Sequence, residues 1–143
     1  MRLTVRDLPE RLTTGAFILH SGLEKWPANE TRAAGVHGMA AGAFPMLQPI
    51  PPPLFLRLLA AGEITLGAAL LSPLVPAAVA GAGLTAFSGS LVAMYARTPA
   101  LRRPGSIWPT QAGVGVSKDV WMLGIGLGLL AEGLSGRRSR RSR

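Results

Sequence analysis

The sequence predicts an all-α fold, an integral membrane four-helix bundle with a short interfacial segment between helices 1 and 2. Two observations support this prediction. Only 15% of the 143 residues are charged, well below the roughly 25% typical of soluble domains. The charges are also clustered, since none lies between Glu63 and Arg97 and none between Asp119 and Glu132. Long uncharged apolar runs separated by polar connections are typical of membrane spans.

The first predicted span covers about 8–26 and is the least apolar of the four. It ends in Glu24, Lys25 and Trp26, a combination typical of a membrane interface. The following stretch, 27–52, is rich in Ala, Gly and Pro and has too little continuous apolar length to cross a membrane. A short interfacial helix over 29–43 followed by an extended proline-rich link is therefore expected.

Three further spans are predicted at about 53–72, 76–96 and 118–134. Small residues recur every fourth position in the third span, and the fourth contains three glycines in alternation. Such rows allow helices to approach closely inside a membrane, and we interpret them as helix-packing contacts only. The rows are Gly81, Thr85, Gly89 and Ala93, and Gly124, Gly126 and Gly128. The chain is thus one four-span domain, 1–136, followed by a basic tail, 137–143.

The alternation of four spans places the aromatic residues on one side of the membrane. Trp26, Phe55, Tyr95 and Trp121 fall at the four span ends of that side, with Trp108 in the loop between them. Lys and Arg number eight on the terminal side and seven on the other, so the count alone does not orient the chain. The density of arginines in the tail favours a multi-pass protein with both termini in the cytoplasm.

The net charge of +8 comes largely from the tail. A basic segment directly after a membrane span contacts anionic lipid headgroups more often than nucleic acid. Membrane lipid is therefore the expected partner, and no nucleic acid is expected. The tail arginines are Arg137, Arg138, Arg140, Arg141 and Arg143.

Glu63 is the candidate functional residue, because it lies at the middle of an apolar run. A charge near mid-membrane costs roughly 2.5 kcal/mol or more, so such residues usually face a protein interior and pair with another group. Arg57 is the nearest base in sequence, but six helical positions place it about 120° around the helix and about 9 Å nearer the surface. A direct pair with Arg57 is not expected, and its side chain can extend outwards to the interface.

His20 is the expected partner, since it lies about 9 Å deep and Glu63 about 15 Å deep from the same side. Lys118 and Asp119 begin the fourth span on that side and could add a second polar pair. The alternatives are that His20 bonds a backbone carbonyl or faces headgroups, and that Lys118 and Asp119 are only interfacial. The predicted polar or ligand-binding cluster therefore consists of Glu63, His20, Lys25, Lys118, Asp119 and Arg57. No metal site is predicted.

Several of these residues occur together in a known family. The first span has an arginine, a glycine and a His-x-Gly-x-x-Lys sequence. The second span has a Glu followed by a Gly, and the last span begins with a Lys. The residues are Arg11, Gly15, His20, Gly22, Lys25, Glu63, Gly67 and Lys118. This pattern resembles the DoxX family of small bacterial membrane proteins, over about 11–134.

The resemblance implies a four-helix bundle in the bacterial inner (plasma) membrane with cytoplasmic termini. Members of that family include small subunits linked to quinone-reducing thiosulfate oxidation and partners of membrane redox complexes. This chain departs from the pattern in its arginine tail and its long Ala/Pro-rich first loop, so the resemblance does not identify a particular partner.

Three functions are consistent with these features. The first is an accessory subunit that docks a membrane or cytoplasmic oxidoreductase and positions a quinone near Glu63 and His20. The second is a bundle that binds or transports a small ligand, proton or cation at Glu63, and the third is a structural assembly factor. A non-catalytic subunit is expected rather than an autonomous enzyme, and no covalent cofactor, because the chain has no cysteines, no pair of haem-ligating histidines in its spans and no nucleotide-binding glycine loop.

Overall fold

The computed structural model describes residues 7–141, with side chains described as far as Ser135. Its helices, in chain order, are α1 (Asp7–Lys25), α2 (Glu30–Ala43), α3 (Pro52–Leu71), α4 (Ala77–Arg97), α5 (Val114–Ser117) and α6 (Asp119–Arg141). Short 3-10 turns occur at Pro45–Leu47 and Pro99–Leu101. The predicted all-α class is confirmed.

The tail residues predicted to contact lipid lie outside the described side chains. They are Arg137, Arg138, Arg140, Arg141 and Arg143.

Three helical segments are long and apolar enough to cross a membrane: Pro52–Leu71, Ala77–Arg97 and Val114–Ser135. They match the second, third and fourth predicted spans to within a few residues. The helix α1 has 19 residues, a length close to the predicted first span, but it contains five charged residues and is not among the three. That α1 crosses the membrane stays a prediction.

The long helices associate as two antiparallel pairs, α1 with α3 and α4 with α6. The two pairs meet at a central apolar cluster to which all four helices contribute. Its side chains are almost completely inaccessible to solvent, so the bundle has a packed interior in addition to its apolar outer surface. The cluster consists of Ile18, Leu70, Ala80, Leu84 and Leu129.

Close approach within the α4–α6 pair depends on particular glycines. A Cβ atom added to Gly81 would lie 2.5 Å from the backbone N of Leu130, and one added to Gly126 would lie 2.8 Å from Thr85 N. The predicted packing role of the row in α4 is thus confirmed for Gly81 and Thr85. In α6 only Gly126 of the three alternating glycines is at the contact, because Gly124 and Gly128 have open space around them.

The short helix predicted over 29–43 is confirmed as α2. Asn29 begins α2 as its N-cap, with its side-chain oxygen accepting the backbone N–H of Arg32 at 3.0 Å. An alanine face of α2 is buried, and the helix packs against α3 and α4. The expected extended link is shorter, because Pro52 and Pro53 take the first positions of α3, where a missing backbone N–H has no cost.

The connection between α4 and α5 forms a compact hairpin-like loop. Arg102 and Pro109 pair as an isolated antiparallel bridge, and Gly105 turns the chain with a φ of 67°. The hydroxyl of Tyr95 donates to the carbonyl of Ile107 at 2.7 Å and fastens this loop to the end of α4. The loop therefore holds its aromatic and basic side chains at a defined end of the bundle.

The glycine contact of α6 predicts a position-specific effect of valine. Gly126→Val should lower the free energy of unfolding by about 1–3 kcal/mol, because its side chain would overlap α4. Gly124→Val, two residues away in open space, is the matched control and should have little effect. Thermal unfolding of the detergent-solubilised protein, followed by circular dichroism, measures both. Equal stability of the two variants would contradict the packing described for α4 and α6.

Candidate functional site

Glu63 lies in the interface between α1 and α3 and is 5% exposed. Its partner is Lys25, whose Nζ lies 2.9 Å from Oε2 and 3.1 Å from Oε1. The same Nζ donates to the hydroxyl of Ser21 at 2.6 Å. Both charged side chains are largely buried, with 14% of Lys25 and 6% of Glu63 exposed. The costly carboxylate is therefore neutralised by an ion pair that joins two helices.

The geometry of α1 explains why Lys25 reaches this depth. Side chains on a helix tilt towards its N-terminus, so the lysine at the end of α1 extends back along its own helix. The absence of a side chain at Gly22 then lets α3 come close, since a Cβ there would lie 2.9 Å from Glu63 Cβ and from Ala60 O. Lys25 is the last residue of α1, at the expected membrane interface, but its charged group lies inside the bundle.

The expectation that His20 reaches Glu63 is wrong. The His20 side chain is 72% exposed, and its Nε2 lies 3.5 Å from Oε1 of Glu24, one turn further along α1. His20 is two residues from both Ile18 and Gly22, which are buried. A separation of two residues is about 200° around a helix, so His20 faces away from α3.

The other residues predicted for the polar cluster are not brought to Glu63. Among the described side chains, no hydrogen bond or ion pair joins Lys118, Asp119 or Arg57 to it. Lys118 and Asp119 lie at the beginning of α6, which packs against α4. Arg57 is exposed on α3, in agreement with the helical geometry that separates it from Glu63.

Arg11 is a second buried cation in this interface, and reasoning from charge and depth did not identify it. It is 2% exposed, and its guanidinium donates to four carbonyls at the end of α3 and the turn that follows. The distances from Arg11 are 2.7 Å to Leu70 O, 3.0 Å to Ala69 O, 2.7 Å to Ser72 O and 3.1 Å to Val75 O.

This arrangement makes Arg11 a cap for α3. The last carbonyls of a helix have no partner within it and carry partial negative charge, so a cation with five N–H donors suits them. The signal available in the sequence was the family pattern itself, which begins with this arginine. Arg11 at one end and Lys25 at the other fasten α1 along α3.

An open cleft lies at the end of the bundle where α4 finishes and α6 begins. Its volume is about 480 Å³, and three aromatic side chains, Tyr95, Trp108 and Trp121, line it. Lys118 is at its edge and is exposed. Three of the aromatic residues predicted to lie at one end of the bundle thus line the same cleft.

No three His, Asp or Glu side chains within the described part of the chain are grouped so that they could hold a metal ion.

Taken together, the helix lengths, the hydropathy and the buried polar pair define an α-helical multi-pass membrane protein. The DoxX family model matches residues 7–96. The chain belongs to the DoxX family. The match includes α1 to α4, with Arg11, Lys25 and Glu63, and ends before Lys118. No curated protein and no solved structure matched the chain.

The four bonds of Arg11 predict that lysine cannot replace it. Arg11→Lys keeps the charge but has a single nitrogen, which cannot reach carbonyls spread over the end of α3 and its turn. The free energy of unfolding should fall by about 1.5–3 kcal/mol, the range for hydrogen bonds to charged groups. Thermal unfolding in detergent measures the change, and Arg57→Lys, at an exposed arginine, is the control. A stability unchanged by Arg11→Lys would show that the cap contributes little.

Proposed function

We propose that the chain is a non-catalytic accessory subunit of a membrane-associated, quinone-linked redox system. The single observation that supports this best is the aromatic cleft between the ends of α4 and α6. A volume of about 480 Å³ is within the range of small-molecule sites, roughly 300–1,000 Å³, and its walls are mainly apolar. We therefore propose the cleft as the quinone site, in place of the position near Glu63 and His20 that was expected from the sequence.

The side chains of the cleft suit a quinone ring. A planar ring packs favourably against aromatic faces such as those of Trp108 and Trp121, with about 0.5–1.5 kcal/mol for each well-oriented pair. The two carbonyl oxygens of a quinone accept hydrogen bonds, and the exposed ammonium of Lys118 is a donor at the edge of the cleft. An isoprenoid tail would extend from this end into the adjacent hydrocarbon.

Electrons would have to come from a partner protein. The chain has no cysteine for an iron–sulfur centre or dithiol, and no paired histidines in its spans for haem. The cleft end also presents the exposed side chains of Arg103 and Lys118, so a partner with an acidic docking surface would be attracted to it. The role proposed for this chain is to hold the quinone and the partner together.

Binding or transport of a cation at Glu63 is less well supported. Lys25 already contacts both carboxylate oxygens, so a cation would have to displace a buried ammonium. A structural role for that pair is compatible with the accessory function, because it holds together the bundle that presents the cleft.

Quinone binding to the purified protein tests the proposal. A short-chain ubiquinone analogue should quench tryptophan fluorescence in a saturable way, because Trp108 and Trp121 line the cleft. Trp121→Ala should weaken binding by about tenfold, the effect of losing one aromatic contact of about 1.4 kcal/mol. Trp26→Ala removes an exposed tryptophan outside the cleft lining and should leave the affinity unchanged.

The second measurement concerns the partner. Tagged protein purified gently from its native membrane should bring with it an activity that reduces the same analogue, and Trp121→Ala should lower that activity while Trp26→Ala does not. Unsaturable quenching together with no associated quinone-reducing activity would contradict the proposal.

A further inference from the structure

A separate cavity lies beneath α2, where this helix crosses the beginning of α3 and the end of α4. Its volume is about 360 Å³. The three helices that form it also share the second apolar cluster of the protein, centred on Ala40, Ala43 and Met94. The lining residues used below are Gly35, Phe44, Phe55, Phe87, Ser90 and Met94.

The cavity is suited to an apolar occupant and not to water. No charged side chain lines it, and Ser90 is the only hydroxyl among the lining residues. That hydroxyl donates to the carbonyl of Phe87 at 2.6 Å, so it is already satisfied. A buried water needs two to four polar partners, and apolar cavities without them stay dry.

The cavity follows the last turns of α4. Its lining residues on that helix run from Phe87 to Met94 and end one turn before Arg97, the last residue of the helix. Seven helical residues rise about 10 Å. This length lies within the half of a roughly 30 Å hydrocarbon core that one leaflet contributes, so the cavity can hold part of one acyl chain.

A cation is located at the outer end of this cavity. The guanidinium carbon of Arg97 lies 4.9 Å from the ring centroid of Phe44, which is itself a lining residue. The side chain is exposed, and within the described residues it has no acidic partner. An exposed, unpaired arginine at a membrane interface attracts anionic headgroups.

We propose that this cavity binds one acyl chain of an anionic phospholipid, with the lipid phosphate at Arg97. The apolar lining selects the chain, and the cation selects the charged headgroup. The site is independent of the aromatic cleft, which lies on the α6 side of α4 and shares no lining residue with it. Failure of the quinone proposal would therefore leave this one untouched.

Native mass spectrometry with defined lipids tests the proposal on the full chain. The delipidated protein is titrated with dioleoyl phosphatidylglycerol and, separately, with dioleoyl phosphatidylcholine, which has the same chains and no net charge. One molecule of the anionic lipid should bind with about fivefold preference, the effect of one arginine near a headgroup. Equal binding of the two lipids would overturn the assignment of the headgroup to Arg97.

Filling the cavity tests the chain site. Gly35 lines the cavity and has open space where a side chain would be added, so Gly35→Phe can occupy it without displacing backbone. It should weaken binding of the anionic lipid by about tenfold. Gly38→Phe, on the same helix and also in open space but outside the lining, is the matched control and should bind as the unchanged protein does. Equal binding by these two variants would overturn the proposal.

Two further variants keep the test decisive if Gly35→Phe fails to fold. Ser90→Phe fills the same cavity from α4 and should reduce binding similarly. Arg97→Gln should retain binding but lose the preference for the anionic lipid, whereas Arg57→Gln, at an exposed arginine on another face, should keep it. Loss of the preference in Arg57→Gln and not in Arg97→Gln would contradict the proposed place of the phosphate.

Discussion

The ion pair between Lys25 and Glu63 determines how the first helix lies against the third. A carboxylate in an apolar helix needs a counter-charge, and the register of α1 brings Lys25 Nζ within 3.1 Å of both oxygens. Breaking a buried pair by removing one partner typically costs about 3–5 kcal/mol, because the remaining charge is left unpaired. The pair therefore specifies the arrangement of α1 and α3 more strongly than apolar contacts alone, which would tolerate sliding.

The rest of the bundle is consistent with this constraint. Gly22 and Gly67 remove side chains where α1 and α3 cross, so the ammonium can reach the carboxylate. Arg11 fixes the opposite end by binding the last carbonyls of α3. The α4–α6 pair depends on small residues at its contact, with Gly81 against Gly126. The chain thus uses polar bonds in one pair and close packing in the other.

Sequence reasoning predicted the fold class, the helical segments and the need of Glu63 for a partner, because these follow from composition, length and burial cost. It did not predict that Lys25 is the partner of Glu63. His20 was chosen for its depth in the membrane, without asking which face of α1 it occupies. The same reasoning placed Lys25 in the polar cluster but did not select it as the partner of Glu63, although a long side chain that tilts back along its helix can reach inwards. The cap formed by Arg11 and the burial of α2 depend on contacts between distant segments, which local patterns do not contain.

A double-mutant cycle at Lys25 and Glu63 measures how strongly this ion pair couples α1 to α3. Thermal unfolding is measured for Lys25→Met, Glu63→Leu and the double variant, with His20→Ala as a control at an exposed position. Each single change should lower the free energy of unfolding by about 3–5 kcal/mol, and the double variant should lose less than the sum of the two. His20→Ala should change stability by less than about 0.5 kcal/mol. Additive single effects, or a loss in His20→Ala as large as in Lys25→Met, would contradict this coupling.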